Sequence, residues 1–249
     1  MEAQTDFLVQ QGFEAAQRGD EQTAETLWKR AASLGHPTAQ FNLGVMAYER
    51  GRYEEAIQFF QPLSNGTDPE PSVKAAESFR KMGQEAEALN WYRKAAELGS
   101  APAMYELGLD ADTHGRRDDA IAWYEAAMDS GSDPWAANNL GNLYLLEGNV
   151  SRAREVLERA VDWGDAELLF TLGQICELMG DGANARRWLQ KSSAMGFHEA
   201  TDRLAKMTSP LTSEKSSSQV KGSKFCTECG STRAPGARFC GECGNQYSQ

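Results

Sequence analysis

The chain has 249 residues, of which 41% are hydrophobic, so it can bury a core in one large or two modest domains. Its net charge is −11. From Thr208 onward five basic and three acidic residues give +2, which leaves −13 on the first 207 residues. An acidic surface of this size repels phosphate backbones, so it disfavours nucleic acid as the partner of the larger part.

The sequence also bears on where the protein resides. No apolar stretch approaches the ~20 residues needed to span a bilayer, so we expect no membrane insertion. The first residues, MEAQTDFLVQQGFEAAQRG, lack the positive segment and the uninterrupted apolar run of a secretory signal. We therefore expect a cytoplasmic protein whose thiols are reduced.

A repeat of 32 or 33 residues extends along the first 207 residues, and glycines mark it at a fixed spacing. These glycines are Gly19, Gly51, Gly83, Gly115, Gly148 and Gly180. Five residues after each of these glycines stands an alanine, and four residues after that alanine stands a large apolar residue, at Trp28, Phe60, Tyr92, Tyr124, Leu157 and Leu189. Seven residues before each glycine stands a small residue, at Gly12, Gly44, Ala76, Gly108, Gly141 and Gly173. The shared pattern indicates one structural unit in six copies.

Each unit is predicted to be a pair of antiparallel helices of about 13 to 15 residues. The glycine in the middle would end the first helix in the left-handed conformation, which glycine adopts without steric cost. A second glycine would end the second helix in the same way, at Gly35, Gly66, Gly99, Gly131, Gly164 and Gly196. The small residue and the alanine would let the two backbones approach closely beneath the large apolar side chain.

One such pair cannot bury its apolar face alone, so we expect successive pairs to stack into a solenoid. Residues 197–207, FHEATDRLAKM, repeat only the first half of the unit and would cap the end of the stack. The sequence therefore predicts an all-α domain over residues 1–207, built from about six and a half hairpins or thirteen helices.

The joins between units resemble a known repeat family. WYRKAAELGSAPAMYELG, residues 91–108, resembles the junction of two Sel-one-like repeats, relatives of tetratricopeptide repeats, and variants of it return at residues 27–44, 123–141 and 188–205. The short turns inside the units, such as ERGRYEEA, are more similar to those of tetratricopeptide repeats. The resemblance covers roughly residues 4–207 and implies an α-solenoid superhelix.

The same resemblance implies that the first helix of each unit lines a groove that holds an extended or helical segment of a partner protein. It places nine residues in that groove: Phe13, Phe41, Val45, Tyr48, Tyr105, Leu109, Asn138, Asn142 and Phe170. Asn138 and Asn142 share one unit without a clear basic companion, so we expect no clamp for a terminal carboxylate. The mostly apolar and aromatic set suits an apolar or basic partner segment.

The last part of the chain differs in composition. Residues 208–223 are rich in serine and predict a flexible linker, which leads to a small module at residues 224–249. That module contains two CxxC pairs and is too short for a hydrophobic core, so a bound metal would supply the missing stability. Tetrahedral zinc prefers four sulfurs, while an iron site of the rubredoxin kind and a redox dithiol are the competing interpretations.

The cysteine segment also resembles the zinc ribbons found at the ends of many bacterial proteins, with FCxxCG occurring twice. This resemblance implies one structural zinc ion held by Cys226, Cys229, Cys240 and Cys243. The fifth cysteine, Cys176, falls on the predicted buried side of a helix and is expected to be a core residue. Four tryptophans on the second helices are likewise expected to pack, at Trp28, Trp91, Trp123 and Trp188.

These features favour a non-catalytic scaffold or adaptor, in which the repeat groove binds a protein segment and the zinc ribbon is a second, tethered interaction module. The alternative is a nucleic-acid-associated regulatory protein whose ribbon contacts DNA or RNA. An enzyme is disfavoured because the sequence has no glycine-rich phosphate loop and no nucleophile elbow, and its predicted metal site has no open position.

Overall fold

The protein is described by a computed structural model that covers residues 2–131 and 133–208. Within these ranges the chain forms thirteen α-helices and no strand, which confirms the predicted all-α solenoid. The helices are α1 Glu2–Gln17, α2 Glu21–Ser33, α3 Pro37–Glu49, α4 Tyr53–Phe60, α5 Glu70–Lys81, α6 Glu85–Glu97, α7 Ala101–Thr113, α8 Arg117–Ser130, α9 Pro134–Leu146, α10 Val150–Arg159, α11 Ala166–Leu178, α12 Gly182–Ala194 and α13 His198–Thr208. Two short 3-10 segments, Gln61–Asn65 and Val161–Trp163, follow α4 and α10.

The chain divides into two units, Met1–Leu204 and Ala205–Gln249. The first unit is the helical stack described below. Only residues 205–208 of the second unit are among the described residues, and they belong to the last helix. The linker at residues 208–223 and the module at residues 224–249 therefore remain predictions.

The turn inside each hairpin forms at the predicted glycine. All six mid-unit glycines have φ between 71° and 78°, in the left-handed region where a side chain would be strained. In the second unit Gly51 N donates to Tyr48 O at 2.9 Å, and Arg52 N donates to Ala47 O at 2.9 Å. These hydrogen bonds satisfy the last carbonyl groups of the first helix, as a glycine-ended helix requires.

Two of the glycines predicted to end second helices do not take that role. Gly35, Gly99, Gly164 and Gly196 have positive φ, but Gly66 has φ −79° and Gly131 has φ −171°.

The physical reasons differ at these two junctions. Pro62 lacks an N–H group and cannot continue an α-helix, so α4 ends at Phe60 and the chain passes into a 3-10 turn before Gly66. The helix α8 instead continues through Ser130 and leaves Gly131 extended.

Each hairpin is held by close contact between a small residue on its first helix and a large side chain on its second. A Cβ added to Gly108 would lie 2.6 Å from the Tyr124 ring, and one added to Gly44 would lie 2.5 Å from the Phe60 ring. Nonbonded carbon atoms sit about 3.5 to 4.0 Å apart, so no side chain fits there. The same pairing occurs between Gly12 and Trp28, Gly141 and Leu157, and Gly173 and Leu189.

The recurring alanines complete this seam. All six have no solvent exposure: Ala24, Ala56, Ala88, Ala120, Ala153 and Ala185. In the third unit an alanine replaces the glycine of the first helix, and both Ala76 and Tyr92 are buried. Buried clusters also extend from one hairpin to the next, since Leu8 and Trp28 of the first hairpin share a cluster with Leu43 of the second.

Neighbouring hairpins stack through two kinds of helix contact. Each second helix packs against the first helix of the next unit, from α2 with α3 to α10 with α11. In addition, first helices contact each other directly at three junctions, α3 with α5, α7 with α9, and α9 with α11. The first helices therefore lie side by side and form one surface of the stack, which we call the first-helix face.

Ion pairs link neighbouring units near their turns. Arg50 donates to Glu21 at 2.8 Å and to Glu25 at 2.6 Å, so the end of α3 is tied to α2. Hydrogen bonds from Lys29 and Arg50 lower the pKa of Glu25 to about 2. Among the helices described in residues 2–208, none is both long and apolar enough to cross a membrane.

Replacing Gly108 with valine should destabilise the stack by about 1 to 3 kcal/mol, because the new side chain must displace the Tyr124 ring. Urea unfolding followed by circular dichroism measures this change. Gly182→Val is the matched control, since a Cβ at Gly182, the first residue of α12, meets no atom within 4 Å. Equal loss of stability in both variants would contradict the close contact.

Candidate protein-binding groove

Five of the nine residues predicted to face a partner line three clefts on the stack. Phe13 and Val45 line a first cleft of about 470 Å³. Phe41 lines a second, of about 490 Å³. Tyr105 and Asn138 line a third, of about 240 Å³.

The first cleft lies where α1, α2 and α3 meet. The Phe13 ring stands edge-on to Trp28, with 5.6 Å between the ring centroids. Trp28 is itself fixed, because its Nε1 donates to the carbonyl oxygen of Val9 at 3.3 Å. The ion pair of Arg50 with Glu21 also lines this cleft, together with the carboxylate of Glu49, so aromatic rings and a net negative charge lie side by side there.

The second cleft lies between α3 and the start of α5, beside the 3-10 turn. Phe41 is half-buried and tilts against Phe60 at 5.5 Å between centroids. Asp68 and Glu70 contribute carboxylates at the same cleft, which also holds three apolar side chains, those of Pro37, Leu63 and Pro71.

The third cleft lies where the starts of α9 and α11 meet α7. It contains Tyr105, Trp135, Asn138 and Glu167, and an adjoining cavity of about 460 Å³ shares Tyr105 and Trp135 with it. The Trp135 side chain is 63% exposed.

The sequence-based assignment omitted Trp135. It considered only residues near the leucine of each first helix, whereas Trp135 lies one turn earlier, directly after Pro134. The sequence nevertheless contained a signal for Trp135. It is a tryptophan on the first turn of a helix that packs mainly through its later residues.

The other four predicted residues differ in how exposed their side chains are. Tyr48 is half-buried against Tyr53, with 5.5 Å between centroids, and burial raises the pKa of its hydroxyl. Phe170 is half-buried against Phe197 at 5.1 Å. Leu109 is 39% exposed, and Asn142 is also exposed. The aromatic members therefore contribute to packing as well as to the first-helix face.

Asn138 is more deeply placed than the prediction implied. It is only 8% exposed, and its Nδ2 donates to Glu167 Oε1 at 3.2 Å. The two asparagines of this unit thus have different environments, one buried at the cleft wall and the other exposed.

The residues predicted to pack are buried or half-buried. Trp28 and Trp188 are buried, while Trp91 and Trp123 are half-buried, and Trp91 stacks on Phe79 at 6.3 Å. Cys176 is fully buried, and its burial raises the pKa of the thiol, as expected for a small core residue and not for a nucleophile.

The predicted zinc ligands cannot be placed. Cys226, Cys229, Cys240 and Cys243 lie outside the described residues. Within residues 2–131 and 133–208, no group of histidine, cysteine and carboxylate side chains is arranged to hold a metal ion.

Family models match the chain in alternating stretches. The tetratricopeptide repeat model matches residues 9–63 and 105–166, and the Sel1 repeat model matches residues 83–100 and 172–197. The chain is a tetratricopeptide and Sel1 repeat protein. No curated protein shows significant sequence similarity to this repeat protein.

Solved structures of other repeat proteins share its fold. A Sel1 repeat protein from Oxalobacter formigenes is 22% identical, with a TM-score of 0.63 over 80% of this chain and 89% of that one. The protective antigen c5321 of uropathogenic Escherichia coli, which displays an SLR fold, is 23% identical, with a TM-score of 0.64 over 82% of this chain. This repeat protein spans about half the length of c5321, since 48% of that chain is covered.

A third structure, YrrB, is described as a TPR protein with an unusual peptide-binding site. It is 16% identical, with a TM-score of 0.50 over 72% of this chain and 97% of that one. At these identities the likeness is one of fold.

Proposed function

We propose that this protein is a non-catalytic adaptor whose first-helix face binds a segment of a partner protein. Tetratricopeptide and Sel1 repeat scaffolds typically mediate protein–protein interaction. The observation that carries the proposal is the series of three clefts in which aromatic side chains stay partly exposed. YrrB, with its peptide-binding site, gives a precedent for this use of the fold.

The surface chemistry supports a protein partner over nucleic acid. The first 207 residues carry −13, and carboxylates lie at each of the three clefts. A phosphate backbone would be repelled by such a surface, whereas an apolar or basic peptide segment would not. The cytoplasm remains the compartment that the sequence predicts.

A photo-crosslinking amino acid placed at Leu109 or Asn142 should capture one and the same partner in the native host. Both positions are exposed on neighbouring first helices, so substitution there leaves the packing intact. Gln190, exposed on the second helix α12, is the matched control position. Capture that is equally strong from Gln190, or absent from both groove positions, would contradict the groove proposal.

We also propose that residues 224–249 bind one structural zinc ion and supply a second interaction module. Support comes from the sequence: Cys226, Cys229, Cys240 and Cys243 form two CxxC pairs in a segment too short for an apolar core. When bound, the metal would supply folding free energy to that module and no chemistry to the repeat stack.

The purified full chain should contain about one zinc ion per molecule by elemental analysis, as expected for one four-sulfur site. Replacing Cys226 and Cys229 by serine should remove that metal and leave the helical circular dichroism of the stack unchanged. Cys176→Ser is the matched control, because this cysteine is buried inside α11. Iron in place of zinc, or zinc that survives the double substitution, would contradict the proposal.

A further inference from the structure

The cleft between α7, α9 and α11 differs from the other two in how far its aromatic side chain is exposed, since Trp135 is more exposed than Phe13 of the first cleft. We call it, together with its adjoining cavity, the tryptophan cleft. Trp135 is 63% exposed, although it is held firmly at the start of α9. Its backbone N–H donates to Asp133 Oδ1 at 3.0 Å, and Pro134 precedes it on the first turn. A large, exposed ring on a backbone fixed in this way is the kind of side chain that anchors partners.

A second aromatic ring forms another side of the tryptophan cleft. Tyr105 is half-buried and tilts against Tyr124 at 6.0 Å between ring centroids. Its position is therefore fixed by the hairpin contact of α7 with α8. Flat rings held in this way can receive a planar or cationic group on their faces.

The charges of the tryptophan cleft are of one sign. Four carboxylates line it and its adjoining cavity, at Glu106, Asp133, Asp165 and Glu167, and neither lining includes a lysine or arginine.

Three of these carboxylates already have partners that occupy them. Asp133 accepts from the backbone of α9 and Asp165 from that of α11, and Glu106 pairs with Arg80 at 2.7 Å.

Among these four carboxylates, Glu167 is the one that neither caps a helix nor pairs with a cation in the described part of the chain. Its recorded partner is the neutral amide of Asn138, whose Nδ2 lies 3.2 Å away. Because a carboxylate can only accept, this contact fixes the amide orientation and directs Oδ1 away from Glu167. Asn138 Oδ1 is buried and has no hydrogen-bond partner. The cleft therefore has both an unneutralised charge and an unused acceptor.

We propose that the tryptophan cleft binds an arginine side chain of the partner segment. A guanidinium group is planar, permanently charged and carries five N–H donors in a fixed fork. It can stack on the ring of Trp135 and donate to Glu167. A purely apolar occupant would desolvate Glu167 and leave its charge without a donor.

This inference rests on the proposed binding of a protein segment, and it names one side chain of that segment. The test begins with random dodecapeptides displayed on phage and selected on the full-length protein. Peptides that are enriched should contain arginine. In synthetic versions, citrulline in place of that arginine keeps the shape but removes the charge, and should weaken binding about tenfold or more.

Variants of the protein locate the effect. Trp135→Ala and Glu167→Gln should each weaken binding of the arginine peptide about tenfold, while the citrulline peptide should respond little to Glu167→Gln. Glu199→Gln is the matched control, because Glu199 is the equivalent residue one repeat later and is also exposed. It should leave the affinity unchanged. All three substitutions are at exposed positions, and unfolding curves verify that the variants fold.

The possible failures are distinguishable. Enriched peptides that lack arginine, or that bind Trp135→Ala and Glu167→Gln as well as they bind the unaltered protein, would overturn the arginine site alone. The groove would then still stand if those peptides crosslink to Leu109 or Asn142. Failure to enrich any peptide would overturn the arginine site and count against the groove itself.

Discussion

The close approach of two helices within each hairpin is the constraint on which the rest of the structure depends. Wherever the first helix presents glycine, the large side chain sixteen residues later fills the space that a Cβ would occupy. This contact sets the distance between the helices, and the left-handed glycine turn sets their direction. Since the same geometry is repeated, neighbouring first helices come to lie side by side, and the first-helix face follows.

Because the first-helix face is formed by the same helices that pack within the hairpins, the recognition surface and the core share side chains. Phe41 packs on Phe60, and Tyr105 packs on Tyr124, so each ring contributes both to the packing of its hairpin and to the lining of a cleft. A charged substitution at either position would disturb folding as well as binding. Leu109, Asn142 and Trp135 are more exposed and report on binding with less effect on packing.

Much of this architecture could be predicted because a strict steric requirement leaves a strict pattern. Only a small residue fits beneath Tyr124 or Phe60, so the period of the repeat could be read directly from the chain. The predictions for Gly66 and Gly131 were wrong because a glycine does not by itself fix where a helix ends. Pro62 ended α4 early, and α8 extended to Ser130. Trp135 was missed because the groove positions were taken from around the leucine of each first helix, whereas Trp135 lies one turn earlier, where α9 borders the cleft with α7 and α11.

The contact between the two helices of a hairpin can be observed most directly by NMR on glycine-labelled protein. The account predicts that the α protons of Gly12, Gly44 and Gly108 show nuclear Overhauser effects to the rings of Trp28, Phe60 and Tyr124, together with chemical shifts displaced by those rings. Gly141 and Gly173, which face leucines, should show contacts to methyl groups and no ring displacement. Absence of the ring contacts at all three glycines would contradict the account.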